Sequence, residues 1–195
     1  MKYILASKSP RRREILQNLG VAFETVTADV DESDLATDPR VLVERLSARK
    51  GEAVRELLLR EGRFDRDTVI ISSDTVVSVD GQILGKPRDE ADARRMLLSL
   101  SGRAHEVVSG ISLIGFDRSG VSHEVTEVVF DPLDEDTLAR YLATPEPYDK
   151  AGAYAIQGFA SLWISVIRGC YFNVVGLPVH RLARLHFEVF GKKFI

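Results

Sequence analysis

Short apolar runs alternate with helical patterns along the chain, and this alternation limits the fold more than any other feature. Apolar runs of strand length predict strands at 3–6, 21–28, 68–79, 82–84, 105–116 and 122–130. Helical spacing of apolar residues predicts helices at 11–19, 39–61, 89–100, 134–143 and 179–190. The pattern therefore indicates an α/β protein, and the strands that follow one another in the middle of the chain make its sheet mixed.

The last third of the chain is less regular. Residues 144–158 have no clear period and are rich in small side chains. Two apolar runs, 161–167 and 170–175, predict a hairpin that turns at Arg168-Gly169. Trp163 is expected in the core. Cys170 falls in the second run and is expected to be a small buried hydrophobe rather than a nucleophile.

Composition narrows the classes of function. The 195 residues carry a net charge of −3, which argues against a general nucleic-acid binder. No stretch approaches the roughly 20 apolar residues that cross a bilayer, so no membrane partner is expected. One cysteine excludes an intrachain disulfide and fits a reducing compartment. We therefore expect a cytoplasmic protein whose anionic ligands meet local clusters of Lys and Arg.

The first candidate site joins the first strand to the first helix. Ser9 is a good N-cap, Pro10 suits the first helical position, and Ser7 precedes both. The free backbone N–H groups of such a turn attract anions, and Arg11 and Arg12 could grip a phosphate with paired hydrogen bonds. The alternative is an ordinary capped helix with a solvated basic first turn, and local reasoning leaves the two interpretations even.

A lysine and an aspartate in predicted apolar elements are the next candidates. Lys50 falls on the helical stripe formed by Leu42, Leu46, Ala53 and Leu57, so it either extends outward along its alkyl stem or reaches an anion in a cleft.

Asp74 interrupts the apolar strand 68–79, where an unpaired carboxylate would be costly. It therefore binds a metal, acts as a general base or caps a turn. The acidic residues Asp31, Glu32 and Asp34 could supply a further metal ligand or form a solvated loop.

The remaining candidates are weaker. Lys86 follows a glycine but lacks Walker A spacing, so it is at most one more phosphate contact. In the small-residue segment, Lys150 supplies charge and Gln157 offers both a hydrogen-bond donor and an acceptor, although the segment could equally be a loop packed on a sheet. His105 is expected to be a structural histidine. No Cys/His spacing typical of zinc sites occurs.

Taken in order, these motifs resemble those of Maf proteins over nearly the whole chain. The matching motifs are Ser7-x-Ser9-Pro10-Arg11-Arg12, Lys50, Ser73-Asp74-Thr75-Val76-Val77, Gly85-Lys86-Pro87, Gly102-x-x-His105, Asp149-Lys150-Ala151-Gly152-x-Tyr154-x-Ile156-Gln157-Gly158 and Val175-Gly176-Leu177-Pro178. The resemblance implies one Maf-like domain, residues 1–195, with two closely packed lobes, a twisted mixed sheet flanked by helices and a central cleft. The implied fold is related to that of the house-cleaning inosine triphosphatases.

The resemblance also implies a nucleoside triphosphate pyrophosphatase that requires Mg²⁺ or Mn²⁺. Asp74 matches the proton acceptor, and Asp74 and Glu32 match the metal ligands; whether Asp74 is base, ligand or both stays open. The phosphate-binding positions are Ser7, Ser9, Arg11, Arg12, Lys50, Lys86 and Lys150.

Arg12, Thr75 and Gln157 match the positions that choose the base and resemble the dTTP/UTP branch. The alternatives are a pyrophosphatase for 7-methyl-GTP or other modified nucleotides, and a non-catalytic nucleotide-binding regulator of septum formation. A homodimer is compatible with the resemblance.

Overall fold

All seven strands of the protein belong to one mixed sheet in the computed structural model, which describes residues 1–195. The strands are β1 (Lys2–Leu5), β2 (Phe23–Thr25), β3 (Thr68–Val79), β4 (Gln82–Leu84), β5 (Ala104–Ile114), β6 (Ser119–Phe130) and β7 (Ile164–Arg168). Their order is β2-β1-β3-β5-β6-β7, with β4 also paired to β3. β1 runs parallel to β2 and β3, and the other pairs are antiparallel. The predicted mixed α/β fold is confirmed.

Six helices flank the sheet, and local capping signals explain where most of them begin. They are α1 (Pro10–Asn18), α2 (Pro39–Arg60), α3 (Glu90–Leu100), α4 (Glu135–Leu142), α5 (Tyr171–Val175) and α6 (Val179–Phe190). The side chains of Ser9, Asp38, Asp89 and Asp134 each accept a backbone N–H in the first turn of the helix that follows. These caps satisfy amides that the helix itself leaves unpaired. No helix is long and apolar enough to span a membrane.

Two large apolar clusters lie towards opposite ends of the long strands. One joins Val77 and Val107 to buried residues of α3 and α4, and the other joins Ile71 and Ile111 to those of α1 and α6. These β3 residues have odd numbers, so alternation places them on one face of the strand. Between the clusters the same face carries polar side chains, Ser73 and Thr75.

β3 lacks a neighbour along part of one edge. β1 pairs with it only up to Ile71, and β4 pairs with it only from Val77 onward. The intervening residues, Ser72 to Val76, have a strand partner only on their other side, in β5. This gap in the sheet, next to the polar break between the two apolar clusters, leaves room for a cleft.

The structure corrects the predicted hairpin after residue 160. Ile164–Arg168 forms a strand as expected, but the second run becomes helix α5. Asn173 explains the difference, because its buried side-chain amide donates to the Val107 carbonyl and the Thr126 hydroxyl. Cys170 precedes the helix and is partly exposed rather than buried, whereas Trp163 lies in the core as expected.

The predicted apolar stripe of α2 is wrong by about one residue. The buried face contains Val43, Leu46, Val54 and Leu58, while Leu57 is only partly buried. This stripe packs on the face of the sheet that also presents Asp74. Lys50 therefore lies at the border between the buried face of α2 and the open space beside β3.

Candidate active site

A cleft of about 680 Å³ opens at the gap in the sheet beside β3. Its volume is in the range usual for small-molecule sites. It gathers the residues that match the family's site into one place, although these residues come from six separate parts of the chain. The predicted residues that line it are Ser7, Ser9, Arg11, Arg12, Glu32, Lys50, Asp74, Thr75, Lys86, Lys150 and Gln157.

The turn between β1 and α1 forms one wall of the cleft. Ser9 caps α1 by accepting the Arg12 amide at 3.5 Å, and the Ser9 amide donates to Ser7 Oγ at 3.1 Å. Ser7 Oγ also accepts a guanidinium hydrogen bond from Arg12 at 3.3 Å. The buried Ser7 hydroxyl thus receives two hydrogen bonds, and its own proton is free for a ligand oxygen.

Arg12 is held in the cleft entirely by uncharged acceptors. Besides Ser7, its Nε donates to the Gly176 carbonyl at 2.8 Å and its Nη2 donates to Thr75 Oγ1 at 3.2 Å. Burial keeps the pKa of the guanidinium below its usual value, although the nearby negative charge of Asp74 acts in the opposite direction. An arginine fixed in this way keeps its charge available for an anion.

Lys50 connects two carboxylates across the cleft. Its Nζ lies 2.5 Å from Asp74 Oδ1 and 3.0 Å from Glu32 Oε1. Burial by itself would raise the pKa of Glu32, but the hydrogen bond and charge of Lys50 help to leave that pKa below its ordinary value. The structure thus gives the carboxylate inside the apolar strand the charged partner that its burial requires.

The other predicted cations differ in their surroundings. Lys86 is exposed and forms no ion pair, although its charge helps to lower the pKa of Glu32. Lys150 donates to the Glu146 carbonyl at 2.7 Å and contacts Asp149, whose carboxylate also lies 3.8 Å from Arg11 Nη1. Gln157 is exposed on the cleft wall, so its amide is free to meet a ligand.

His105 lies outside the cleft and is structural, as expected. It is 3% exposed, and its Nε2 is 2.8 Å from the Tyr154 hydroxyl. Burial lowers the pKa of His105 from 6.5 to about 4.

Residue-by-residue reasoning missed the role of Gly176. Its carbonyl accepts from both Arg12 and Ser73, so it anchors the cleft wall. The only sequence signal for it was its place in the motif Val175-Gly176-Leu177-Pro178, since a carbonyl leaves no trace in residue identity.

The sequence model of the family described as "Maf-like protein" matches residues 2–188 of this chain. The chain belongs to the Maf family. Maf relatives resemble it over almost their full lengths. A protein of Symbiobacterium thermophilum called dTTP/UTP pyrophosphatase is 46% identical, over 93% of this chain and 91% of the relative. A protein of the same name from Carboxydothermus hydrogenoformans is 47% identical, over 94% of this chain and 96% of the relative. A third protein of that name, from Clostridioides difficile, is 46% identical over 95% of this chain and 93% of the relative.

Among solved structures, the Staphylococcus aureus Ham1 protein is similar over part of this Maf chain. The match covers 67% of this chain and 72% of that protein at 17% identity, with a TM-score of 0.48.

Proposed function

We propose that this protein is a nucleoside triphosphate pyrophosphatase that hydrolyses dTTP and UTP to the monophosphate and pyrophosphate. The observation that carries the proposal is the cleft itself, in which the Lys50–Asp74 pair faces the capped first turn of α1 with its two arginines. The names of the Maf relatives, which are 46–47% identical over nearly the whole chain, support this activity.

The phosphate chain is expected to bind between the first turn of α1 and the lysines opposite. Arg12 has only neutral hydrogen-bond partners and Lys86 has no carboxylate partner, so both charges can be given to phosphate oxygens. The Ser7 proton and the backbone amide of Arg11 add donors. Arg11 and Lys150 would need to loosen their contacts with Asp149 to join them.

The expected divalent cation fits the carboxylates in the cleft. Asp74 and Glu32 both contact the Lys50 ammonium, so their carboxylates converge on one part of the cleft. Their oxygens are the hard ligands that Mg²⁺ and Mn²⁺ prefer. No group of three or more His, Cys, Asp or Glu side chains that could hold a metal ion occurs, so these two carboxylates are the residues that would hold it. A bound Mg²⁺ or Mn²⁺ held by Asp74 and Glu32 would neutralise charge on the phosphate oxygens.

In this proposal Asp74 is the base. Lys50 holds Oδ1 and fixes the carboxylate, which leaves Oδ2 to accept a proton from a water molecule. The water oxygen forms a bond to the α-phosphorus while the bond to the α–β bridging oxygen breaks, and pyrophosphate departs with that electron pair. Arg11, Arg12 and the lysines oppose the charge that grows on the phosphate oxygens.

Arg12, Thr75 and Gln157 are proposed to select the base. Uracil and thymine present an acceptor, O4, beside a donor, N3–H, and a carboxamide can pair with both. A glutamate in place of Gln157 would only accept and would leave O4 without a partner. The exposed Gln157 amide has its full hydrogen-bonding capacity free for this pairing.

The test is pyrophosphate release by the purified protein from dTTP, UTP, 7-methyl-GTP and the other common nucleoside triphosphates, with Mg²⁺, Mn²⁺ or EDTA. Asp74→Asn should reduce metal-dependent turnover of dTTP and UTP by at least about 10³-fold while the protein stays folded. Asp117→Asn, which changes an exposed aspartate paired with Arg66, is the matched control.

Each other outcome contradicts part of the proposal. Near-normal activity of Asp74→Asn would refute the role of Asp74. Preference for 7-methyl-GTP would refute the substrate assignment. Nucleotide binding without turnover of any substrate would replace the enzyme by a regulator, such as one acting in septum formation.

We further propose a cytoplasmic location, which the single free cysteine supports. A homodimer is proposed on the family resemblance, and the mass measured by light scattering after size-exclusion chromatography would test it.

A further inference from the structure

A buried serine outside the cleft is linked to the cleft by hydrogen bonds. Ser109 lies on β5 directly opposite Thr75 and is fully buried. Its Oγ is 2.8 Å from Thr75 Oγ1 and 3.0 Å from the carbonyl oxygen of Asn173. Ser109 does not line the cleft, whereas Thr75 does.

The chemistry of the partners fixes the direction of this chain of hydrogen bonds. A carbonyl only accepts, so Ser109 must donate its one proton to Asn173. Thr75 must then donate its own proton to Ser109. The lone pairs of Thr75 therefore remain for Arg12 Nη2, which only donates and lies 3.2 Å away.

The Asn173 carbonyl, which is the last acceptor in this series of hydrogen bonds, is held in place by the side chain of its own residue. The Asn173 side chain donates to the Val107 carbonyl and to Thr126 Oγ1, each at 2.9 Å, and is fully buried. The short helix that presents this carbonyl also leads to Gly176, whose carbonyl accepts Arg12 Nε at 2.8 Å. Arg12 is thus oriented from the same short helix by two routes, one direct and one through Ser109 and Thr75.

We propose that Ser109 is a positioning residue that keeps Thr75 as an acceptor for Arg12 and thereby sets the affinity and base selectivity of the nucleotide site. Without Ser109 the Thr75 proton has no acceptor there, and it competes with Arg12 for the space in front of Oγ1. Because Arg12 has no carboxylate partner to hold it, the loss of one neutral acceptor changes the position of its guanidinium group. The part of this inference that concerns nucleotides rests on the proposed function.

The expected signature is a change in KM rather than in kcat. Ser109 touches neither Asp74 nor Lys50, and without it Arg12 keeps its charge and its bonds to Gly176 and Ser7, so nucleotide binding should weaken more than the chemical step slows. Ser109→Ala is expected to raise KM for dTTP and UTP about 10-fold, the value of one hydrogen bond to a charged group, with kcat within about 2-fold. Its preference for these nucleotides over 7-methyl-GTP should fall.

Companion variants separate hydrogen bonding from packing. Ser109→Cys nearly preserves volume but pairs weakly, and should behave like Ser109→Ala. Ser109→Thr keeps the hydroxyl and should retain a KM near that of the wild type. Ser112→Ala is the matched control, because Ser112 is a buried serine of the same strand that forms none of these contacts. It should leave KM unchanged.

A double-mutant cycle tests the route through Thr75. In a Thr75→Val background, which lacks the hydroxyl, Ser109→Ala should have no further effect on KM. The proposal would be overturned if the KM increases of Ser109→Ala and Thr75→Val multiplied in the double variant. It would also be overturned if Ser109→Ala and Ser109→Cys both kept the wild-type KM, or if Ser112→Ala raised KM as much as Ser109→Ala does.

Two readouts do not need turnover. Calorimetric binding of dTTP in EDTA should weaken about 10-fold in Ser109→Ala, and its crystal structure should show Arg12 Nη2 displaced from Thr75. If the wild type is inactive and Arg12 is still displaced in Ser109→Ala, the proposed function alone is refuted. An active wild type with Arg12 unmoved in the variant would refute the role of Ser109 alone.

Discussion

Gly110→Ala should disturb the catalytic geometry from a position that has no side chain. Gly110 lies opposite Asp74 in the β3–β5 pairing, and the backbone of α2 crosses directly over it. A Cβ built on Gly110 would lie 2.2 Å from the Val43 carbonyl oxygen and 2.4 Å from its carbon. Neither atom can rotate away, because both belong to the helix backbone.

The size of the effect follows from this distance. Ordinary contact begins at 3.4 Å, so α2 must move outward by about 1 Å to accept the methyl group. Overpacking of this kind costs about 3 kcal/mol, the upper end of the usual range, since backbone has to give way. For a chain of 195 residues that lowers Tm by about 6–12 °C. The same helix carries Lys50, whose Nζ is 2.5 Å from Asp74 Oδ1, and a shift of this size costs about 10²-fold in turnover.

Urea unfolding and pyrophosphate release from dTTP measure the two effects. Gly85→Ala is the control for stability, since a Cβ there meets no atom within 4 Å and the backbone is not in the left-handed region. It should unfold within about 0.5 kcal/mol of the wild type. If Gly110→Ala also unfolded within that margin, the close approach of α2 to β5 would be wrong.

Two further predictions concern charge. Lys50→Met should reduce turnover by at least about 10²-fold, since Asp74 and Glu32 then face each other without their shared cation. Lys2→Met, which removes an exposed lysine, is the control, and equal activities of the two variants would contradict the role of Lys50. His105 has a folded-state pKa of about 4, below its ordinary 6.5, so only the unfolded chain gains the proton as pH falls between these values. Stability should fall by up to about 3 kcal/mol over that interval, and His105→Gln should lose this component of the pH dependence of urea unfolding; an unchanged pH dependence would count against the burial of a neutral imidazole.

Local signals determined most of the secondary structure. The strand at 68–79 and the short strand at 82–84 match the predicted limits, because an apolar run bounded by turn residues specifies a strand without long-range help. The helices that begin after Ser9, Asp38 and Asp89 start within one residue of the predicted positions, since N-caps act over only three residues.

Residue chemistry also indicated the members of the site. A carboxylate within an apolar strand and two arginines at a helix start are each unfavourable alone, so both required partners. The sequence could not say which partners, because Lys50 and Asp74 are separated by 24 positions and meet only when α2 packs across β3 and β5.

Tertiary structure decided what local propensity left ambiguous. The apolar run at 171–175 suits a strand or a helix, and the buried amide of Asn173 selects the helix by bonding to β5 and β6. The cleft exists because β1 ends before β4 begins along the edge of β3, a mismatch set by strand pairing rather than by any one strand. Ser109 matters only through its register with Thr75 and its reach to a carbonyl 64 positions away. Such contacts join residues far apart in sequence, so only the packed chain determines them.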